Sequence, residues 1–218
     1  MVRAGITHWR RAAAAIAVTL AVALAPTGAR ADSLTSDEAA QLDRGDTVVR
    51  AQSLTRGDHS YVGGVTYTLL DATPDELDAI IDDVASWQRV LPRTKSAVKV
   101  GERGGDALVE LRQGSSIFET SYTIRVHKDV ATRTVRFWLD PTRPHGIDDA
   151  WGFFRVTPIA DSGRVLFTFG VLLDMGDGLG RALFEERIRA ATLALPQRVR
   201  GYLATWRARS REKRVTMR

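Results

Sequence analysis

Four histidines and no cysteine bound the chemistry this chain can perform. Without a thiol there is no thiolate nucleophile, no thiolate metal site and no dithiol redox step. His8, His59, His127 and His145 stand at none of the spacings that put two imidazoles on one metal ion. One His–carboxylate set is close in sequence: His145, with Asp148 and Asp149, ahead of a strand. A positioned set of this kind suits a general acid or base. Proximity within one loop does not build it, so no catalytic residue is assigned. Asp174 and Asp177 sit among glycines, but they lack the regular oxygen spacing and closing Glu of a calcium loop. They read as a turn into a helix. Arg56-Gly57-Asp58 carries only three residues of information.

Charge is the next chemical resource. Arg3, Arg10 and Arg11 precede an unbroken apolar run, Ala12 to Ala25, and Pro26 and Gly28 end it. A run of this length is too short for a bilayer core of ~30 Å. Ala29-Arg30-Ala31 offers small residues where a signal peptidase reads. Residues 1–31 are therefore expected to be an export signal cut after Ala31, which puts the mature chain in the periplasm or outside the cell. Arg10-Arg11 is followed only by Ala, so general secretion fits better than a twin-arginine route. The signal holds four of the 31 basic residues and none of the 26 acidic ones, leaving 27 against 26. That balance gives no reason to expect nucleic acid as a partner. Arg198 to Arg218 holds eight basic residues and one acidic, Glu212. Such a segment suits peripheral contact with anionic lipid, or serves only as a solvated tail.

The elements that would position a site follow from periodicity. The segment 32–60 shows no core pattern and reads as an N-terminal extension with a short helix from Ser36 to Leu42. Tyr61 to Leu70 alternates as a strand. Thr73 caps a helix with Pro74 at its first position and Leu77, Ile80, Ile81 and Val84 on one face, ending near Trp87. Period two then persists through Ala97–Gly101, Ala107–Gln113, Ile117–Lys128, Thr134–Leu139, Ala150–Thr157 and Arg164–Leu173. Gly104-Gly105 is a hairpin turn. Along Ile117–Lys128, the apolar set Phe118, Tyr122, Ile124 and Val126 turns Arg125 and His127 to solvent. Trp151 and Phe153 share a face with Arg155, which leaves that strand ambiguous. A long helix from about Gly178 to Arg209 closes the chain, kinked near Thr192 by Pro196. The domain runs from 61 to 209, with a basic tail at 210–218. The fold class is α+β: a curved antiparallel sheet of about seven strands wrapped around a long C-terminal helix.

This order, with the segment Thr73-Pro-Asp-Glu-Leu-Asp-Ala-Ile-Ile-Asp-Asp-Val-Ala-Ser-Trp-Gln-Arg-Val-Leu-Pro92, resembles the START-like helix-grip superfamily. That superfamily is also called SRPBCC or Bet v 1-like, and the nearest branch is the coenzyme-Q-binding and polyketide cyclase one. The resemblance spans about Val62 to Trp206. It implies a largely apolar cavity between sheet and C-terminal helix, holding a lipid, isoprenoid, quinone or sterol, with no cofactor. Candidate lining residues are Trp87, Phe118, Tyr122 and Phe137, together with Trp151, Phe153, Phe167 and Phe169. Trp87 is expected at the mouth. The expected function is an exported binding or transfer protein for a hydrophobic ligand. The alternatives are a cyclase- or hydrolase-like enzyme using the same cavity, or an interaction module whose cavity is collapsed.

Overall fold

The structure, a computed structural model, describes residues 34–114, 119–176 and 179–216. The described residues from Thr35 onward belong to one compact unit. The expected export signal, residues 1–31, lies outside the described residues, and so does Phe118.

The chain order is α1 (Ser36–Asp43), β1 (Thr47–Arg56), β2 (His59–Leu70), α2 (Pro74–Asp82), α3 (Val84–Val90), β3 (Thr94–Arg103), β4 (Asp106–Gly114), β5 (Glu119–Asp129), β6 (Thr134–Leu139), β7 (Asp149–Ile159), β8 (Arg164–Asp174), α4 (Leu179–Leu193) and α5 (Leu195–Thr216). The strands form one sheet ordered β1-β2-β8-β7-β6-β5-β4-β3, every pair antiparallel. From β3 to β8 it is a meander, whose longest connection is the loop 140–148 between β6 and β7. Gly104 and Gly105 both take positive φ, as a two-residue turn of the primed type requires. Arg56-Gly57-Asp58 is the β1–β2 hairpin turn, closed by the Arg56–His59 pair.

Two glycines allow the sheet to bend at β2. A Cβ on Gly63 would lie 2.0 Å from the Val171 carbonyl oxygen, and one on Gly64 would lie 2.1 Å from that of Arg50. Both have φ values that L side chains rarely adopt. Two neighbouring strands can therefore close over β2 only because no side chain is there.

The α2–α3 pair carries the chain from β2 to the far edge at β3. Thr73 and Glu76 form a reciprocal capping box at the start of α2, with Pro74 at the first turn. Asp75 and Asp78 meet Arg133, and Asp82 meets Lys128, so the acidic face of α2 is tied to the β5–β6 hairpin. Leu77 and Ile80 on the other face are buried.

Four expectations need correction. The sheet has eight strands, because the segment 32–60 supplies α1 and β1. Val48 of β1 pairs with Tyr67, and both are buried with Leu42 of α1 on the outer face of the sheet. Glu38 of α1 binds Arg50, whose guanidinium lies 5.1 Å over the Tyr67 ring. The first helix is two helices, because Asp83 leaves helical geometry (ψ 87°) and its side chain caps α3. The last helix is also two, broken at Ala194. Pro196 has no N–H to give to the Thr192 carbonyl, so α4 cannot continue into α5. Finally, α5 runs to Thr216, so most of the expected tail is helix.

Helix α5 lies across β2 and β8 and against α3, and α4 lies across β2. Together they cover the inner, concave face. The apolar side chains of that face form one core with Leu77, Ile80, Trp87, Leu195, Val199 and Leu203 from the helices.

Candidate functional site

The pairing registers fix which residues face the helices. Opposed residues of antiparallel strands share a face, and Phe137, Gly152 and Val171 are opposed across β6, β7 and β8. Phe154, Phe167 and Phe169 fall on the same face. Their rings pack within 5.3 to 6.4 Å of one another between centroids, with Phe137 in the set. Gly152 is what lets Phe137 lie against the strand, since a Cβ there would come 2.4 Å from its ring.

Above this aromatic floor is a cavity of about 20 Å³, roughly the space of one water. Its walls are Leu77, Ile80 and Ile81 from α2, and Trp87, Val90 and Leu91 from α3 and its end. Phe154 and Phe167 form the floor, and Leu195 and Val199 come from α5. No polar side chain other than the indole of Trp87 is among them. The indole nitrogen of Trp87 donates to the Ile81 carbonyl at 2.8 Å, which fixes the ring across the α2–α3 break. Ser86 bonds Asp83 at 2.6 Å and the Tyr202 hydroxyl at 3.1 Å, joining the same break to α5.

Of the aromatic residues expected to line an interior site, Trp87 and Phe167 line this cavity. Phe137 and Phe169 stand in the floor cluster. Tyr122 is buried on the same face, and its hydroxyl donates to the Gln113 side-chain oxygen. Burial raises the Tyr122 phenol well above its ordinary value, so it stays protonated. Trp151 and Phe153 are a correction. They point to the outer face, where Trp151 is 43% exposed and Phe153 lies over Gly170. The inward residues of β7 are Ala150, Gly152, Phe154 and Val156. Phe154 was missed because β7 has aromatics on both faces. The signal for it was Arg155: a strand with Trp151, Phe153 and Arg155 on one side turns the other side inward, and Arg155 stacks 5.5 Å over Phe153.

The His145 set does not assemble. Its Nδ1 bonds the Ile147 carbonyl at 2.7 Å, while Asp149 accepts from Tyr61 at 2.6 Å. Burial and the Asp149 carboxylate push the Tyr61 phenol up to about 12. Among the described residues there are two other His–carboxylate pairs: His59 with the buried Asp174 at 3.0 Å, and His127 with Asp106 at 2.9 Å. Both lie on the outer face, away from the apolar interior. Asp174 also accepts from the Ser60 and Gly176 backbone N–H groups, so its role is to hold loops. Arg125 faces outward as the alternation requires, paired with Asp106 and 5.5 Å over Trp138. Among the described residues, no group of three or more His, Asp or Glu is placed to hold a metal ion.

Part of the basic C-terminal segment is used internally. Arg200 donates to the Gly45 and Leu69 carbonyls, and Arg207 binds Glu76 and the Asp71 carbonyl. The Arg207 guanidinium holds the Glu76 carboxyl down to about 2. Arg198, Arg209 and Arg211 are exposed. No described helix is long and apolar enough to cross a membrane.

No family model matches the sequence, and no curated protein does. Solved structures do match. A protein of Thermus thermophilus superposes with a TM-score of 0.55 at 11% identity, over 65% of this chain and 96% of that one. A STAR-related lipid transfer protein of Xanthomonas axonopodis gives 0.53 at 14%, over 72% and 98%. The Zhui aromatase/cyclase of a Streptomyces strain gives 0.53 at 14%, over 75% and 96%. The chain has the START-like helix-grip fold. In that fold the sheet grips the C-terminal helix, and here α4 and α5 fill that place. At these identities the likeness establishes the architecture and no ligand or activity.

Proposed function

We propose that this helix-grip protein is exported and carries a hydrophobic ligand between its concave sheet and the helices α3, α4 and α5. The observation that supports this most is the wholly apolar contact surface of the cavity. Such walls bind by burial of apolar area alone, at about 25 cal/mol per Å². A cavity of about 20 Å³ holds no lipid, so uptake requires the cover to move. Both covering segments are already broken where they meet it, at Asp83 and at Ala194. The breaks leave α3 and α5 able to swing without unwinding a continuous helix. Export is read from the basic and apolar pattern of residues 1–31. Contact with anionic lipid through Arg198, Arg209 and Arg211 completes the proposal, with co-sedimentation on phosphatidylglycerol vesicles as its check.

A second reading is favoured by the cavity volume itself. A ligand site of this kind ordinarily offers ~300 Å³ or more, and an interaction module with a collapsed core would offer none. One experiment separates the two. The protein is recovered from its native compartment, weighed by native mass spectrometry and extracted into organic solvent. A discrete co-purifying apolar molecule is expected, on a chain beginning at Asp32. A bare mass, with no uptake of the neutral dye Nile red, would overturn the carrier reading and leave the interaction module.

A further inference from the structure

The apolar concave face carries a polar row at its β3–β5 end, apart from Thr66 and the Thr47–Thr68 hydroxyl pair at the β1–β2 end, which are hydrogen-bonded. Thr94, Gln113 and Thr120 are opposed across β3, β4 and β5 on the inner side of the sheet. Tyr122 stands on the same face one pair further along β5. The Gln113 amide nitrogen donates to Thr94 Oγ1 at 2.8 Å and to the Pro92 carbonyl at 3.3 Å. The Gln113 amide oxygen accepts from the Tyr122 hydroxyl. Three of these groups thus satisfy one another. The fourth does not: Thr120 Oγ1 is buried and has no hydrogen-bond partner. Gly146 leaves room for that hydroxyl, since a Cβ there would lie 2.5 Å from it.

An unsatisfied buried hydroxyl beside a satisfied network is costly unless something else bonds it. The row does not line the cavity, but it is tied to the chain beside the cavity wall. Leu91 lines the cavity, and the next residue, Pro92, accepts from Gln113. A ligand lying along the apolar floor would reach this corner with one end.

The geometry points to a neutral ligand tip: Gln113, Thr120 and Tyr122 form an anchor for one hydroxyl or carbonyl group at the end of an otherwise apolar molecule. This rests on the carrier reading above and specifies its ligand class. Every group in the row is uncharged, and Tyr122 is buried. A carboxylate or phosphate tip would arrive there without a counter-charge and would be desolvated for nothing. A hydroxyl can donate to one oxygen and accept from another, which is what Thr120 offers and needs.

The test uses the mature chain and three matched probes, decane, 1-decanol and decanoate, each displacing bound Nile red at pH 8. Decanol is expected to bind about three- to tenfold more tightly than decane or decanoate, the worth of one net hydrogen bond. Thr120→Val and Gln113→Met should each reduce that preference. Thr120→Val removes only an unpartnered hydroxyl, so it should melt no lower than the parent and serves as the folding control. Equal binding of decane and decanol, a preference for decanoate, or a preference untouched by both variants would overturn the anchor and leave the carrier standing. Failure of Nile red and all three probes to bind would overturn both.

Discussion

At the scale of single residues, the two sides of β7 make opposite predictions. Phe154 touches three other rings and the cavity, whereas Trp151 is 43% exposed on the outer face. Phe154→Ala should cost ~3–5 kcal/mol of stability, and Trp151→Ala less than about 1 kcal/mol. Urea unfolding of the two variants checks this, and similar losses would contradict the face assignment. A second residue-scale prediction concerns acid. Glu76 has a folded pKa of about 2 against an ordinary 4.5, set mainly by Arg207. A depressed carboxylate pKa adds stability that is fully present above pH 4.5 and lost as pH falls from there toward 2. Both partners are partly exposed, so the contribution is about 1–2 kcal/mol. Arg207→Ala should therefore narrow the stability gap to the parent as pH falls from 5 to 2.5. A gap that stays constant over that range would show that the pair is screened out.

At the scale of elements, the weak points are where strands pass too close for a side chain. Gly64→Ala would drive a methyl to 2.1 Å from the Arg50 carbonyl, in a backbone conformation that alanine rarely adopts. It should cost more than ~3 kcal/mol and expose the β1 amides to hydrogen exchange first, because β1 pairs only with β2. Uniform exchange across the sheet would argue against that order. The same elements show what a sequence can and cannot display. The meander was legible because most of its strands alternate, β7 being the exception, and two of its turns contain Gly-Gly or Asp-Ser-Gly. The strand β1 was not, because it is an edge whose inward residues include Ala51 and Ser53, and whose buried Val48 depends on α1 and Tyr67 for cover. Helix faces were legible, but the break at Asp83 was not. Asp83 sits in an acidic run, and its bonds to the Ala85 N–H and the Ser86 hydroxyl are what distinguish a cap from a surface charge. Of the candidate residues, period two puts Phe137, Phe167 and Phe169 on one face of their strands, the face that packs against the helices, whereas Trp87 was read from the resemblance and not from periodicity. The Gln113–Thr120 row was invisible, because its meaning comes from pairing across three strands.

For the molecule as a whole, the decisive question is whether the closed interior is the end state or a resting state. A sheet gripping two broken helices can be packed for stability alone, and a core with about 20 Å³ to spare is close to that limit. Removing volume from the cover distinguishes the cases. Val199 of α5 is buried and lines the cavity, facing α2, α3 and the Phe154–Phe167 floor. Val199→Ala should destabilise the chain by about 1–3 kcal/mol through lost burial and an enlarged void. If the interior opens to take up a ligand, the same change lowers the work of separating α5 from α3, and Nile red uptake should rise by threefold or more while the melting temperature falls. If the core is only a core, the melting temperature falls and dye uptake stays at zero. Dye uptake that rises while the melting temperature falls is the result the carrier reading requires, and a falling melting temperature with no uptake would overturn it.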